Sequence, residues 1–351
     1  MKKNILLPLL FLLAAFNACS QSTCSSYSDF VIVTDRLWAL TGNGHLRLFD
    51  LEQAKRVSDP LFEDSLTAIT MDIHSAIVVG NKHHRIERYD TSTNSWVLLG
   101  NYSGTLYGIT FDHANTCYLI TSNGIVELGT KQSYLPDSGL NSQIHYHGAW
   151  FQQPAYYMDA EDKLWVGFRY GEWGGDLFVF NTRLKQFLPL KMNGYSIDLN
   201  PIQCICSNGT DIFITTGMNH MMTTSGSIIK FNNYEASVIF DSSPFSDAHR
   251  NDTSFVGEYI GPAAFNNEDH YLYFYSHNGF FRGDPDKNLS SIEKWEKLGR
   301  PNLKWSWGQR NAVGSPMNVH KLAFYEDSRI VFLTQLNGIG LLQDGQVIFL
   351  Q

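Results

Sequence analysis

One short segment recurs along the chain and limits its fold more than any other feature. It is clearest at residues 159–168, where the turn Asp-Ala-Glu-Asp precedes the strand-like run Lys-Leu-Trp-Val-Gly-Phe. A glycine-rich stretch and a second strand-like run, Asp-Leu-Phe-Val-Phe-Asn at 176–181, follow it. Weaker copies align on this first run at Leu37, Ala76, Cys117, Leu164, Ile212, Leu272 and Ile330, spaced 39 to 60 residues apart. Self-similarity at such a spacing indicates a repeat architecture.

Each copy contains four short runs rich in β-branched and aromatic residues, which favour strands. In the last copy they cover 319–324, 329–333, 338–342 and 346–350. Four strands in about 40–50 residues make one propeller blade. With only 17% charged and 14% aromatic residues, the composition also favours an all-β protein with a large core. The sequence therefore predicts a seven-bladed β-propeller of four-stranded antiparallel blades over residues 30–351.

Hairpin turns support the same register. An Asn-Gly pair joins the second and third strands at 43–44, 123–124, 278–279 and 337–338. Asn-Gly is the strongest short hairpin signal, and it favours a turn in which both central residues have positive φ. Because the first and last units each hold four strands, we expect the ring to close by face packing of blades 1 and 7, without strand exchange.

The sequence of the fourth repeat resembles that of a known protein family. Asp159 followed by Lys-Leu-Trp-Val-Gly at 163–167 resembles the repeat of bacterial sensor-type propellers, the periplasmic ligand-binding domains of two-component regulators. Residues 121–125 and 334–339 are similar to the second half of that repeat. The resemblance implies a ligand-binding propeller outside the bacterial cytoplasm. Since no transmembrane segment or kinase follows Gln351 in this sequence, we do not expect direct signal transmission.

The first residues read as an export signal. Lys2 and Lys3 precede an apolar run at 5–16, which is shorter than the roughly 20 apolar residues that span a bilayer. Cys19 directly follows Ala18 and resembles the cysteine of a bacterial lipobox, which is lipidated and becomes the new N-terminus.

We therefore expect a lipoprotein signal peptide at 1–18, a tether at 19–29 and a location in the bacterial cell envelope, on the periplasmic or outer surface. The alternative is ordinary secretion, with Ala18 and Ser20 as the small pair before the cleavage site. In either case residues 1–18 are absent from the mature chain.

Charge and cysteine usage exclude several classes of function. The net charge of -8 includes no basic cluster, so we expect no nucleic-acid partner. Cys24, Cys117, Cys204 and Cys206 show no paired zinc spacing, and Cys204 and Cys206 lie about 7 Å apart along a strand, too far for an easy disulfide. We expect free thiols, no metal, no cofactor and a monomer.

Loop lengths differ between the two ends of the ring. We call the end that carries the connections between strands two and three and between successive blades the long-loop face, and the other end the short-turn face. The long pieces are predicted at 129–154, 241–261 and 285–318, with strand two-to-three loops at 169–175 and 217–226. Because binding residues concentrate on loops held by a rigid scaffold, the long-loop face is the predicted functional face.

This face is rich in aromatic and polar side chains that suit a sugar or a peptide. The candidate ligand-binding residues are His145, His147, Trp150, Arg169, Glu172, Trp173, His220, Arg250, Trp305, Trp307 and Arg310. The alternative is that these loops pack on one another, with the tryptophans forming their small hydrophobic cores. The predicted function is non-catalytic binding of a glycan, a peptide or an envelope protein, with the membrane reached through the N-terminal lipid.

Two more specific kinds of site, a metal site and an acid/base pair, are alternatives for the same loops. His145 and His147 with His220 or His249 have the residue types of a metal site, and residues 218–222 offer methionine and histidine ligands to copper. Glu172 with His147 has the residue types of an acid/base pair, as in propeller hydrolases or lyases acting on glycans or lactones. No Gly-x-Ser-x-Gly elbow or phosphate-binding glycine loop is present.

Overall fold

The computed structural model of the protein describes residues 26–57, 62, 65–136, 152–171, 174–197, 200–220, 223–243, 257–304, 317–326 and 329–350. Seven sheets of four antiparallel strands follow one another along this part of the chain. Each sheet pairs its strands in chain order, so one contiguous segment makes one blade. The seven blades form a ring, and the predicted seven-bladed β-propeller is confirmed.

The strands are short, and their bounds are as follows. Blades 1 to 4 contain β1 (Tyr27–Val33), β2 (Arg36–Thr41), β3 (Leu46–Asp50), β4 (Lys55–Arg56), β5 (Leu66–Met71), β6 (Ile77–Asn81), β7 (Arg85–Asp90), β8 (Ser95–Asn101), β9 (Leu106–Phe111), β10 (Cys117–Thr121), β11 (Gly124–Glu127), β12 (Gln132–Tyr134), β13 (Gln152–Met158), β14 (Lys163–Arg169), β15 (Gly175–Asn181) and β16 (Gln186–Leu188). Blades 5 to 7 contain β17 (Ile202–Ser207), β18 (Ile212–His220), β19 (Thr223–Asn232), β20 (Glu235–Asp241), β21 (Ile260–Asn266), β22 (Tyr271–Ser276), β23 (Gly279–Gly283), β24 (Glu296–Gly299), β25 (Val319–Tyr325), β26 (Arg329–Thr334), β27 (Ile339–Gln343) and β28 (Gln346–Phe349). A 3-10 helix at Ile292–Lys294 precedes β24.

The core lies between neighbouring blades. Second strands such as β6 and β10 are buried along their whole length because a blade packs on each of their faces. The first strands β1, β5, β9, β13, β17, β21 and β25 lie innermost, and successive ones contact each other around the centre. Each second strand begins within one residue of the position predicted from the repeat, which confirms the register of all seven copies.

The ring closes as expected, by face packing. Buried residues of blade 1, including Phe30 and Phe49, form one apolar cluster with Val331 and Leu341 of blade 7. Within the described residues, the strands of blade 1 pair only with one another, and those of blade 7 do the same. Strand pairing begins at Tyr27, three residues before the predicted boundary at 30.

The turns between first and second strands are short and share one design in blades 2, 3 and 4. In blade 4, Asp159 accepts hydrogen bonds from the backbone N–H groups of Glu161 and Lys163, both at 2.9 Å. Asp72 and Asp112 make the same pair of bonds in their own blades. A carboxylate that binds two backbone donors of a tight turn explains why the aspartate recurs before the second strand.

The Asn-Gly hairpins differ from the predicted type. Gly44, Gly124, Gly279 and Gly338 have positive φ, between 81° and 123°, but the asparagine before each of them does not. Only one residue of each turn therefore occupies the left-handed region, and the expectation of positive φ at both central positions was wrong. Glycine supplies that conformation without a steric cost.

Most of the three long pieces predicted for the long-loop face, at 137–151, 244–256 and 305–316, lies outside the described residues. The described parts show three changes from the prediction. Residues 129–134 belong to a turn and to β12, so the connection to blade 4 begins at 135. Residues 284–295 join β23 to β24 and lie on the short-turn face, which makes the prediction for 285–318 wrong over that part. The predicted loop at 217–226 is mostly strand, because β18 extends to His220 and β19 begins at Thr223.

Helix is almost absent from the described residues, and no helix among them has the length and apolarity needed to cross a membrane. The predicted signal peptide and Cys19 lie outside the described residues. Cys117, Cys204 and Cys206 are free thiols, while Cys24 lies outside the described part.

Candidate functional site

A cavity of about 600 Å³ occupies the centre of the ring. Its walls come mainly from the first strands, including Gln153, Gln203, Pro262 and His320, each near the beginning of its strand. First strands begin at the same end at which second strands finish, as the pairing of Tyr27 with Thr41 shows. These residues therefore mark the mouth of the cavity on the long-loop face.

Arg169 reaches this cavity from the last position of β14. Its Nε–H donates to the backbone oxygen of Gln153 at 3.1 Å, and its Nη1 donates to Oε1 of Gln203 at 2.9 Å. The amide of Gln203 is itself fixed, because its Nε2 donates to the backbone oxygen of Gly217 at 2.8 Å. Residues of blades 4 and 5 thus hold the guanidinium of Arg169 in one orientation.

Arg169 is half-buried at the mouth of the cavity. Burial lowers the pKa of its guanidinium from the usual value, and the neighbouring Tyr259 and Cys204 act weakly in the opposite direction. An arginine nevertheless remains charged at any physiological pH. No carboxylate of the described chain forms an ion pair with Arg169, so its charge is balanced by neutral donors and acceptors alone.

Two further basic side chains, Lys321 and His320, line the same cavity. Lys321 of β25 donates to Oδ1 of Asp29 at 2.6 Å and to the backbone oxygen of Phe30 at 2.8 Å, which joins blade 7 to blade 1. The side chain of His320 is exposed to the cavity. Desolvation within the cavity, and then the charge of Arg169, lowers the pKa of His320 to about 4. The imidazole is therefore neutral at pH 7.

Thiol and phenol groups complete the polar lining. Cys204 and Cys206 point into the cavity from β17, and burial raises the pKa of both thiols. The Sγ of Cys204 donates to the backbone oxygen of Ala263 at 3.1 Å. Burial also raises the pKa values of Tyr156 and Tyr157, which line the cavity. These groups are neutral at physiological pH, so they add no charge to the cavity.

A smaller cavity of about 280 Å³ lies on the short-turn face between blades 4 and 5. Trp165 and Tyr234 stack there with ring centroids 6.0 Å apart and planes 12° from parallel. Nε1 of Trp165 donates to Asp159 at 2.9 Å, and Trp165 is only 2% exposed. The aromatic pair therefore joins blades 4 and 5 by packing, and Trp165 is a core residue.

The structure describes the side chain of only one predicted binding residue, Arg169, and places it at the cavity mouth. The backbone of His220 ends β18 on the same face. The other predicted residues lie outside the described residues: His145, His147, Trp150, Glu172, Trp173, Arg250, Trp305, Trp307 and Arg310. Among the side chains that are described, no group of three or more His, Cys, Asp and Glu is placed to hold a metal ion.

Sequence reasoning missed Gln203, His320, Lys321 and Asp29. All four lie on first strands, near the long-loop end. Their signal was present: a polar residue follows the first apolar residue of β17 and of β25, in strands whose other inner positions are mostly apolar. That signal becomes readable only once the first strands are known to surround a cavity.

Comparison with known proteins supports the fold. The chain resembles the Dos1 propeller with a TM-score of 0.56 and 10% identity, covering 93% of this chain and 84% of that one. It also resembles the computationally designed Ika8 protein with a TM-score of 0.53 and 13% identity, covering 92% and 86%. No family model and no curated protein matches the chain. At these identities the likeness concerns the fold alone.

Proposed function

We propose that this chain is an exported, lipid-anchored β-propeller that binds a ligand or a protein partner on its long-loop face without catalysing a reaction. The single observation that carries the proposal is the cavity that opens on this face with the guanidinium of Arg169 at its mouth. Ligand sites are concave, mostly apolar and equipped with a few fixed polar groups. The propeller fold is compatible with a binding or scaffold role in general.

The bacterial sensor-type resemblance supports the same direction, since those propellers bind ligands outside the cytoplasm. The enzymatic alternative rests on His147 and Glu172, and both lie outside the described residues. No described observation favours it over binding.

The tether gives the proposal a geometric consequence. Tyr27 begins β1 at the long-loop face, and residues 20–29 span at most about 35 Å when fully extended. A lipid on Cys19 would keep this face close to a membrane. We therefore propose that the partner is membrane-associated or supplies a ligand to a membrane protein.

Blocking each face in turn tests where binding occurs. In a Cys24→Ser background, Ser103→Cys on the long-loop face and Thr93→Cys on the short-turn face each receive a maleimide-polyethylene glycol; both positions are exposed. Ligands come from a thermal-shift screen of glycans and peptides, because a ligand that binds only the native state raises apparent stability. We expect the label at 103 to abolish binding and the label at 93 to leave it intact. The reverse pattern contradicts the assignment of the face.

Membrane anchoring has its own test. In a bacterial host, wild-type protein should partition with the detergent phase, Cys19→Ser should stay in the aqueous phase, and Cys24→Ser should behave as wild type. Detergent partitioning of Cys19→Ser would contradict lipidation at that residue.

A further inference from the structure

The hydrogen bonds of Arg169 leave part of its guanidinium facing the cavity. A guanidinium carries five N–H groups in a planar fork. One N–H, on Nε, is taken by Gln153 and one, on Nη1, by Gln203. The second N–H of Nη1 and both N–H groups of Nη2 have no acceptor in the described chain. Adjacent N–H groups of this kind match the two oxygens of a carboxylate.

The charge of the cavity also points to an anion. Among the described residues, the charged ones that line the cavity are Asp29, Arg169 and Lys321. Asp29 and Lys321 neutralise each other at 2.6 Å, and His320 is neutral at pH 7. One positive charge therefore remains among the described residues of the cavity, in a protein whose net charge is -8. An unpaired charge in a partly dry site is costly, and a bound counter-charge removes that cost.

The amount of charge distinguishes between kinds of anion. A monoanion balances the single excess charge of the cavity. A phosphate dianion would exceed it and would share the cavity with the carboxylate of Asp29, which disfavours a second negative charge nearby. Planar bidentate pairing with an arginine is also the geometry of a carboxylate.

The remaining walls indicate what the carboxylate is attached to. Val31, Ile69, Leu322 and Phe324 give the cavity an apolar side, while Ser28 and Thr70 add hydroxyl groups. A volume of about 600 Å³ is ample for a small organic acid with several carbons and hydroxyls. Its hydrocarbon part would pack on the apolar residues.

We propose that the central cavity binds a small organic monocarboxylate, whose two oxygens accept hydrogen bonds from the free N–H groups of Arg169, with His320 as an additional donor and Gln203 as the residue that positions the guanidinium. This inference rests on the proposed ligand-binding role of the long-loop face, and it names the chemical class that this face accepts. Arg169 would contact the ligand directly, whereas Gln203 acts through Arg169.

The test is isothermal titration calorimetry in chloride-free buffer with defined probes. Sodium butyrate, lactate and glucuronate are compared with butyramide, lactamide and glucuronamide, which have the same shapes without the charge, and with inorganic phosphate. We expect at least one carboxylate to bind the mature wild-type protein about tenfold or more tighter than its amide.

Two variants at one position separate charge from geometry. Arg169→Gln should weaken binding of that carboxylate by about tenfold or more, and Arg169→Lys should give an intermediate loss because it keeps the charge but not the fork. Thermal unfolding of each variant without ligand confirms that it is folded. Lys287→Gln, on the short-turn face and 3.2 Å from Asp284, is the matched control and should bind as wild type.

Several outcomes would overturn the inference. They are equal binding of amides and acids, unchanged binding in Arg169→Gln, tighter binding of phosphate than of every carboxylate, or no binding of any carboxylate. If carboxylate binding survives Arg169→Gln but is blocked by a label at position 103, the role of Arg169 fails while the face remains correct. If a label at 103 blocks nothing and one at 93 does, the proposed function itself fails.

Discussion

Nζ of Lys321 lies 2.6 Å from Oδ1 of Asp29, and this contact joins the last blade to the first. The two residues are 292 positions apart in the chain. The same Nζ also donates to the backbone oxygen of Phe30 and lies 5.0 Å from the centre of its ring. Because blades 1 and 7 exchange no strand in the described part of the chain, this polar contact and the apolar cluster beneath it hold the ring closed.

A double-mutant cycle measures this contribution. We expect Asp29→Ala and Lys321→Ala to be coupled by about 0.5–1 kcal/mol in the free energy of unfolding, a value limited by the partial exposure of both side chains. Urea denaturation of the four proteins gives the coupling energy. The Lys191–Glu235 pair, at 2.8 Å but more exposed, is the control and should show a smaller coupling. Equal coupling in the two pairs would contradict a role in closure.

The glycine of the Leu-Trp-Val-Gly segment is required by packing. A Cβ atom on Gly167 would lie 2.5 Å from Cγ2 of Ile202 in the next blade. Gly167→Ala should therefore lower the free energy of unfolding by about 1–3 kcal/mol, since a buried interface resists overpacking. Gly129→Ala, where a Cβ meets nothing within 4 Å, is the matched control and should leave stability almost unchanged. Thermal and urea unfolding measure both variants, and a stable Gly167→Ala protein would show that the blades can separate.

A buried histidine makes stability depend on pH. Burial lowers the pKa of His277 to about 4, below its ordinary value of 6.5. As the pH falls below about 6.5 the unfolded chain binds a proton at His277 while the folded chain does not, so the folded state loses stability until about pH 4. The loss reaches up to about 3 kcal/mol.

His277→Gln should remove the loss in the free energy of unfolding that His277 causes between pH 6.5 and 4. Urea denaturation across this range measures that free energy. The comparison at pH 8, where His277 is neutral in both states, isolates the packing cost of the substitution. An unchanged slope between pH 6.5 and 4 would mean that His277 is protonated in the folded protein.

The thiols of the cavity should react slowly. Burial raises the pKa of Cys204 and of Cys206, and the thiolate is the reactive species. We expect iodoacetamide to modify both residues more slowly than free cysteine at pH 8. Mass spectrometry of peptides measures the rate of modification. Modification as fast as that of free cysteine would show that the cavity is more open than its described walls indicate.

The fold was predictable because its signals are local. Second strands that are apolar on both faces, each preceded by a short turn, repeat along the chain and set the register of all seven blades. In blades 2, 3 and 4 an aspartate binds the backbone of that turn. The assignment of 285–318 was wrong in part because β24, Glu296–Gly299, is short, half charged and preceded by the 3-10 helix, so it carries no strand pattern.

The cavity was less predictable than the ring. Arg169 stood out because it ends the most conspicuous strand of the repeat. Gln203, His320 and Lys321 come together from blades 5 and 7, and their proximity to Arg169 follows from ring closure, which no local pattern encodes. Polar residues at the start of first strands become informative only after the architecture is known.

Hydrogen–deuterium exchange with and without the carboxylate that binds most tightly is the most direct test of where this molecule meets its ligand. We expect slower exchange at the long-loop ends of the inner strands, in peptides that contain 153–155, 169–171, 202–204 and 319–321, and no change at 72–76, 112–116 or 159–162. Slower exchange at those short turns, with the strand beginnings unaffected, would contradict this expectation.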